Sequence, residues 1–495
     1  MIRSTTSGVL LGYRTNLMGS FTTLNKSRDT VLSQRIFNSY AEDPAAAAKA
    51  FRLRRSRMAV QSQYDITDST YRKYQVGWKA LDSVNSVLDT TTKNSIKDAD
   101  LRILNDPTGE ARKTLSTVLS ELSDTIIQNM NQKYGDNFVF AGADGSNVPF
   151  EIRQVDGKDH IFYRGIDVDT EVPKLVTDDA TKEPIGVDAN GNLSTTNPTH
   201  YLKSRGTSVV SKDEYEKLYT LPTVAEDGNG NKIEYNTDGT VYDPTDPDQE
   251  GGFYLDTTTN KTTSIIGYNQ TEERIKNKPP FLSDAANPTT MVEVDENGNY
   301  KPGGGYYLQT EGAESAISKE DYDKAVCDLE KLDYLAGEKY FVDIGLGFEE
   351  NEDGQLIESS AFNASLTGLT FLGYGVDEDG DPRNIVSLVK RMSDLTDSDG
   401  KFDGETFKRL TKKLEKASAK LKVEYSGMDA ESTKLKTNME LLEGNFDTLQ
   451  EQYSGLEDVD MADSITSLVW AQYCYNAALK VGNSILSQSL IDYMN

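Results

Sequence analysis

Residues Phe407–Tyr453 read FKRLTKKLEKASAKLKVEYSGMDAESTKLKTNMELLEGNFDTLQEQY. Apolar side chains recur there at steps of three and four: Phe407, Leu410, Leu414, Ala417, Leu421, Met428, Leu435, Met439, Leu442, Phe446, Leu449 and Tyr453. One row, Leu414, Leu421, Met428, Leu435, Leu442 and Leu449, keeps a spacing of seven. That is a narrow helical stripe, the pattern of a helix lying along a partner. No proline follows Pro382, so nothing kinks it. After an acidic break at Glu457-Asp458-Val459-Asp460 a second helical segment runs to Asn495. Such a tail needs a mate.

The mate is sought at the other end of the chain. Leu10, Leu17, Leu24 and Val31 form a sevenfold row, with Tyr13 and Phe21 beside it. A polar interruption over 38–44 ends in Asp43-Pro44, which predicts a helix start: aspartate as cap, proline in the first turn. Ala45–Arg57 is rich in alanine and arginine, and the rows Tyr64, Tyr71, Trp78 and Tyr74, Leu81, Leu88 continue the helix. The pattern stops by Asn105-Asp106-Pro107-Thr108-Gly109. It resumes with Leu115, Leu119, Leu122, Ile126 and Met130, and Gly135 is read as that helix's C-terminal cap. The expected fold is therefore α+β: an elongated helical coiled-coil rod formed by both chain ends, with a large β-rich inserted module. In domains, 1–60 is a terminal assembly region paired with 461–495. Residues 61–150 form a helical rod paired with 401–460, and 151–400 are the inserted outer module.

Charge follows the same division. The net charge is −28. Residues 1–150 carry 19 basic and 15 acidic side chains and residues 401–495 carry 11 and 15, so the ends cancel and the middle holds the whole excess. A surface of that sign repels phosphate, which excludes nucleic acid as a partner. No apolar run approaches the ~18 residues of a membrane helix, and the N-terminus has no charged-then-apolar secretory signal; no membrane is expected. Cys327 and Cys474 lie far apart without a metal-spaced Cys/His cluster, so neither a disulfide framework nor a bound metal is expected.

The middle alternates short apolar runs (Ile161-Phe162-Tyr163, Phe253-Tyr254-Leu255, Tyr306-Tyr307-Leu308, Tyr340-Phe341-Val342) with Asp/Asn-Gly turns, the signature of β structure with long loops. Short helices are expected at Lys212–Lys217 and Lys319–Leu332. The similar turns at Asp188, Asp227 and Asp295 hint at repeated hairpins without a fixed period. His160 and His200 stand without a nucleophile or base partner, and no phosphate loop or nucleophile elbow occurs. The Asp/Asn-Gly turns invite a calcium reading. With Gly298 or Gly400 as the sixth position of an EF-hand loop, however, the twelfth position fails at Gly304 or Thr406, so turns are the better reading. Tyr306 and Tyr307 could make an aromatic clamp, and a short strand explains them equally. The sequence predicts no enzyme and no cofactor.

The two ends carry a resemblance. Gln34-Arg35-Ile36-Phe37-Asn38-Ser39-Tyr40-Ala41-Glu42-Asp43-Pro44, with the alanines after it, resembles the signature near the N-terminus of bacterial flagellins and their relatives; Phe37 is an extra residue between Ile36 and Asn38. Val459-Asp460-Met461-Ala462, Ala477-Ala478-Leu479 and Ile485–Met494 are similar to the matching C-terminal end. Phe138-Val139-Phe140-Ala141-Gly142 with Pro149-Phe150, and Asp343–Gly347 with Ala361-Phe362-Asn363 and Gly368-Leu369, resemble the hook-associated protein 3 branch of that superfamily, which joins hook to filament. The resemblance covers about 1–150 and 340–495.

It implies a structural flagellar subunit outside the cell, exported unfolded with the help of the flagellar export machinery and a chaperone. Self-association in a ring follows from it, with another hook-associated protein on the hook side and flagellin on the filament side. The assembly contacts it points to are Leu10, Leu17, Leu24 and Val31 on the first helix and Ile465, Leu468, Leu479, Leu486 and Leu490 on the last. Burying one such side chain contributes about 1.5–3 kcal/mol before ordering costs. Terminal segments without a partner are expected to order only on assembly. A flagellin-like filament subunit, or a stalked carbohydrate- or calcium-binding module, remains as an alternative.

Overall fold

The computed structural model describes residues 6–494 except 38, 40, 93–95, 97–109, 156 and 398–401; within the terminal helices, side chains are described from 10 to 484. The helices are α1 (Thr6–Ser33), α2 (Pro44–Thr91), α3 (Glu110–Met130), α4 (Lys212–Tyr219), α5 (Ile265–Lys276), α6 (Lys319–Ala336), α7 (Gly368–Leu372), α8 (Ile385–Asp397), α9 (Gly404–Glu457) and α10 (Met461–Met494). Short strands fill the span from Lys133 to Asn363, so the class is α+β.

The sevenfold row of α9 is the spine of the rod. Leu414, Leu421, Met428 and Leu435 are buried against α2, where Tyr74, Leu81, Val84 and Leu88 face them, and Leu442 is buried further along α9. Both helices start on a capping aspartate: Asp43 accepts from the N–H groups of Ala45 and Ala46, and Asp403 from those of Glu405 and Thr406. Helix α3 packs on α8, with Ser116 and Ser393 hydrogen-bonded across the contact at 3.0 Å. Gly135 does not cap α3, which ends at Met130. With φ +60 it sits in the turn joining strands Lys133–Tyr134 and Asn137–Phe138.

The boundaries differ from the expected ones at two places. Helix α2 has no break at residue 60; the break lies between Ser33 and Pro44, and the start of α2 packs on the end of α9 rather than on 461–495. Residues 341–397 pack with the rod, since Ile344, Phe362, Leu366, Leu369, Ile385, Val389 and Met392 share one core with α2, α3 and α9. So do Phe150, Ile161, Tyr163 and Val168. The outer module thus lies between Val168 and Phe341, around its own core of Val176, Val187, Leu193, Leu202, Leu282, Val294 and Leu308.

That module is built from three like units. Each opens on a turn, Asp188–Asn192, Asp227–Asn231 or Asp295–Asn299, in which the leading carboxylate accepts the backbone N–H groups two and four residues on. Gly191, Gly230 and Gly298 hold φ near +80 in these turns, which a side chain resists. Each unit then carries a Tyr-Leu strand and a closing strand whose last serine (Ser211, Ser264, Ser318) caps a helix. Four residues into that helix a tyrosine (Tyr215, Tyr268, Tyr322) meets a strand tyrosine edge-on. The pairs are Tyr215–Tyr307 at 5.1 Å, Tyr254–Tyr268 at 5.1 Å and Tyr201–Tyr322 at 5.5 Å.

The register is the same in all three, the strand tyrosine lying opposite the residue before the capping serine. The second unit pairs its own strands, whereas the first and third exchange theirs: Tyr306–Gln309 pairs with Ser208–Ser211, and Ala316–Ser318 with His200–Leu202.

Candidate assembly interface

Helices α1 and α10 lie along each other, so the terminal segments are paired within one chain. The seam on α1 is half-buried Leu10, Tyr13, Leu17, Ser20, Leu24, Ser27 and Val31, in steps of three and four. On α10 it is Ser464, Leu468, Ala471, Tyr475, Ala478 and Gly482, with the same steps. Small residues on α10 let the helices approach closely, and Tyr13 stands where a Cβ on Gly482 would fall. Phe21 lies 5.7 Å from Tyr475 at the seam's flank.

The residues picked from the sequence therefore divide. Leu10, Leu17, Leu24, Val31 and Leu468 lie on the seam inside the chain. Ile465 and Leu479 point away from the first row and are exposed. The reason is that α10 is apolar on all sides, so apolar content alone does not select its packed face. Leu486 and Leu490 fall beyond the described side chains. Outside the seam the pair exposes Leu11, Met18 and Phe21 on α1, and Ile465, Val469, Trp470, Tyr473, Leu479 and Val481 on α10, with Trp470 at 67% and Tyr473 at 73%. Scattered surface apolar residues are ordinary; so many on one helix pair mark an interaction surface.

Below the pair, its two breaks are stitched into a joint. The Ile36 N–H donates to the Glu457 carbonyl at 2.9 Å and the Val459 N–H to the Gln34 carbonyl at 3.2 Å. The Glu457 carboxylate is buried between Arg35 and Arg54, each at 3.2 Å, and Arg54 also donates to the Tyr453 hydroxyl at 2.6 Å. Burial opposes the charge of Glu457, yet the Tyr453 hydroxyl and the two guanidiniums outweigh it and hold the carboxyl below its ordinary range. The extra residue Phe37 is buried here against Ala47 and Ala50.

The joint gathers two of the segments that carry the resemblance at the ends, Gln34–Ala48 and Val459–Ala462, while Ala477–Leu479 lies further along α10. The other two meet in the rod core: Gly368 N–H donates to the Phe140 carbonyl at 2.9 Å, Gly142 N–H to that of Leu366 at 3.0 Å, and Ala141 bridges Thr367.

Groups with possible chemistry are explained by structure. His160 pairs with Asp167 at 2.7 Å and His200 with Thr199 at 2.8 Å. Asp377, Asp379 and Asp381 crowd together as metal ligands would, but Lys413 reaches all three at 2.5–2.8 Å, and Arg391 and Arg409 hold Asp381. The cluster clamps its hairpin to α8 and α9. Asp295 spends its carboxylate on Asn297 and Asn299 in the Gly298 turn. The Gly400 turn lies partly outside the described residues. Tyr307 belongs to a packed ring pair. No described helix is long and apolar enough to cross a membrane.

No protein-family model and no curated protein matches this sequence. Among solved structures the chain is similar to FlgL of Xanthomonas campestris, at 12% identity over 82% of this chain and 99% of that one, with a TM-score of 0.32. It is similar to the flagellar junction protein FlgL of Legionella pneumophila at 13% identity, over 78% and 99% of the two chains, with a TM-score of 0.29.

Proposed function

We propose that this chain is a structural, non-enzymatic subunit of the bacterial flagellum at the hook–filament junction, exported unfolded and assembled outside the cell through its terminal helices. The observation that carries the reading is the terminal pair itself. Its seam is satisfied within the chain, and its outer surface still carries large apolar side chains at Leu11, Met18, Ile465, Val469, Trp470 and Tyr473. Covering one of these contributes about 1.5–3 kcal/mol before the cost of association.

The resemblance of Gln34–Ala48 and Phe138–Gly142 gives the surface its setting: neighbouring copies around the ring, another hook-associated protein below and flagellin above. The ion-paired joint then fixes how the terminal pair is presented. The outer module, distant in sequence from both ends, is left to face outward. Deleting 464–495 tests the proposal. The truncated chain should fold through the rod yet fail to join filament to hook in cells lacking the full-length protein, and filaments that still attach would overturn it.

A further inference from the structure

Two rows of unpaired charge lie on exposed faces of α2 and α9 beside the joint. On α2, Ala47 and Ala50 are buried and Arg54 and Arg57 reach back to Tyr453, Glu457 and Gln450 of α9, which defines the inward side. At about 100° per residue, Lys49, Arg52 and Arg55 wind along the outward side, and all three are exposed. On α9, Gln450, Tyr453 and Glu457 face α2, while Glu440, Glu443, Asp447 and Glu451 form one exposed row in steps of three and four. None of these seven has an ion-pair or hydrogen-bond partner among the described residues. Arg54 touches Tyr453 and Glu457 while Arg57 touches Gln450, so the basic row stands level with the C-terminal end of the acidic one.

Like charges at these spacings repel along each helix. We propose that the two rows are the halves of one heterologous contact, the Lys49–Arg55 face of one copy docking on the Glu440–Glu451 face of the next. Two different patches on one segment make a heterologous contact, which repeats head to tail from copy to copy and closes into a ring when its rotation does. Charge complementarity sets the orientation and excludes the like-faced encounter of two acidic surfaces. The inference rests on the self-assembly reading and adds to it a lateral surface below the terminal helices.

The test uses the full-length chain in sedimentation velocity at low and high salt. One variant carries Arg52→Glu and Arg55→Glu, the other Asp447→Lys and Glu451→Lys, and circular dichroism melting reports the folding of each. Each swap alone should weaken self-association at least about tenfold, and added salt should weaken the wild type. Mixing the two variants, or combining them in one chain, should restore it. The milder Arg52→Gln/Arg55→Gln pair repeats the loss without adding new charge. Three results overturn the proposal: wild-type chains that stay monomeric at low salt, swapped chains that associate like the wild type, or a mixture that fails to recover. If deleting 464–495 abolishes attachment while the swaps change nothing, the lateral contact fails and the junction reading stands.

Discussion

Replacing Glu457 by Gln removes one negative charge from the joint and keeps the shape of the side chain. The carboxylate is 6% exposed, while its partners Arg35 and Arg54 are 53% and 36% exposed. Breaking a fully buried pair costs about 3–5 kcal/mol and an exposed one less than about 1. A buried carboxylate between two half-wet cations falls between, at about 2 kcal/mol for both contacts together. The backbone bonds of Ile36 and Val459 then open locally about 30-fold more often.

Hydrogen exchange at those two amides in the full-length chain measures it, with the α2 and α9 amides around Leu81 and Leu421 as an internal control. The folded carboxyl is held below its ordinary 4.5, so its contribution is complete above that pH and is lost as the pH falls through the depressed value. The Gln variant should lack this acid-side loss. Protection at Ile36 and Val459 within about twofold of wild type would refute the view that Glu457 latches the joint.

Two further outcomes follow from buried groups. Leu421→Ala, at a fully buried site between α9 and α2, should lower the urea-unfolding free energy by about 2–5 kcal/mol, and a loss under about 1 would mean that the α9 row is not the spine of the rod. Asp169 has an Oδ1 shut off from water; burial, reinforced by the Asp167 charge, pushes its carboxyl up to about 7 against the opposing Ser387 hydroxyl, His160 and Arg391. The folded chain binds this proton more tightly than the unfolded one, so stability falls between about pH 4 and pH 7, by no more than about 4 kcal/mol. Asp169→Asn should therefore raise the melting temperature at pH 8 and leave it unchanged near pH 4; a lower melting temperature at pH 8 would assign the carboxylate a stabilising role.

The parts legible in advance were those with long, regular patterns. The row of six residues at sevenfold spacing in α9 and the Asp43-Pro44 start of α2 each reflect one dominant physical demand, and both helices form as read. Residues 341–397 were not legible as rod, because their apolar runs are short and α8, though amphipathic, spans only Ile385–Asp397. The threefold build of the outer module was hidden by its middle unit. Between Asn231 and Phe253 that unit carries an additional hairpin turn at Asn236–Thr240, which destroys any fixed period. What revealed the units is a common register, which depends on strands far apart in sequence. At the candidate interface the α1 row was readable because α1 has polar faces to contrast with it. Helix α10 has none, so which of its apolar residues pack inward could be decided only by the close approach at Ala471, Ala478 and Gly482.

The exchange of strands between the first and third units has a consequence for the order in which this chain can close on itself. The second unit needs only its own residues, and the other two surround it, each holding half of the other's sheet. Around them α3 pairs with α8, α2 with α9 and α1 with α10, so every pairing encloses the one before it, like brackets. A chain emerging from either end can complete the innermost unit early. The strands at 200–211 must then wait about a hundred residues for 306–318, and the terminal pair waits for everything. The exposed apolar surface of the terminal pair is thus, by connectivity alone, the last that an incomplete chain could present.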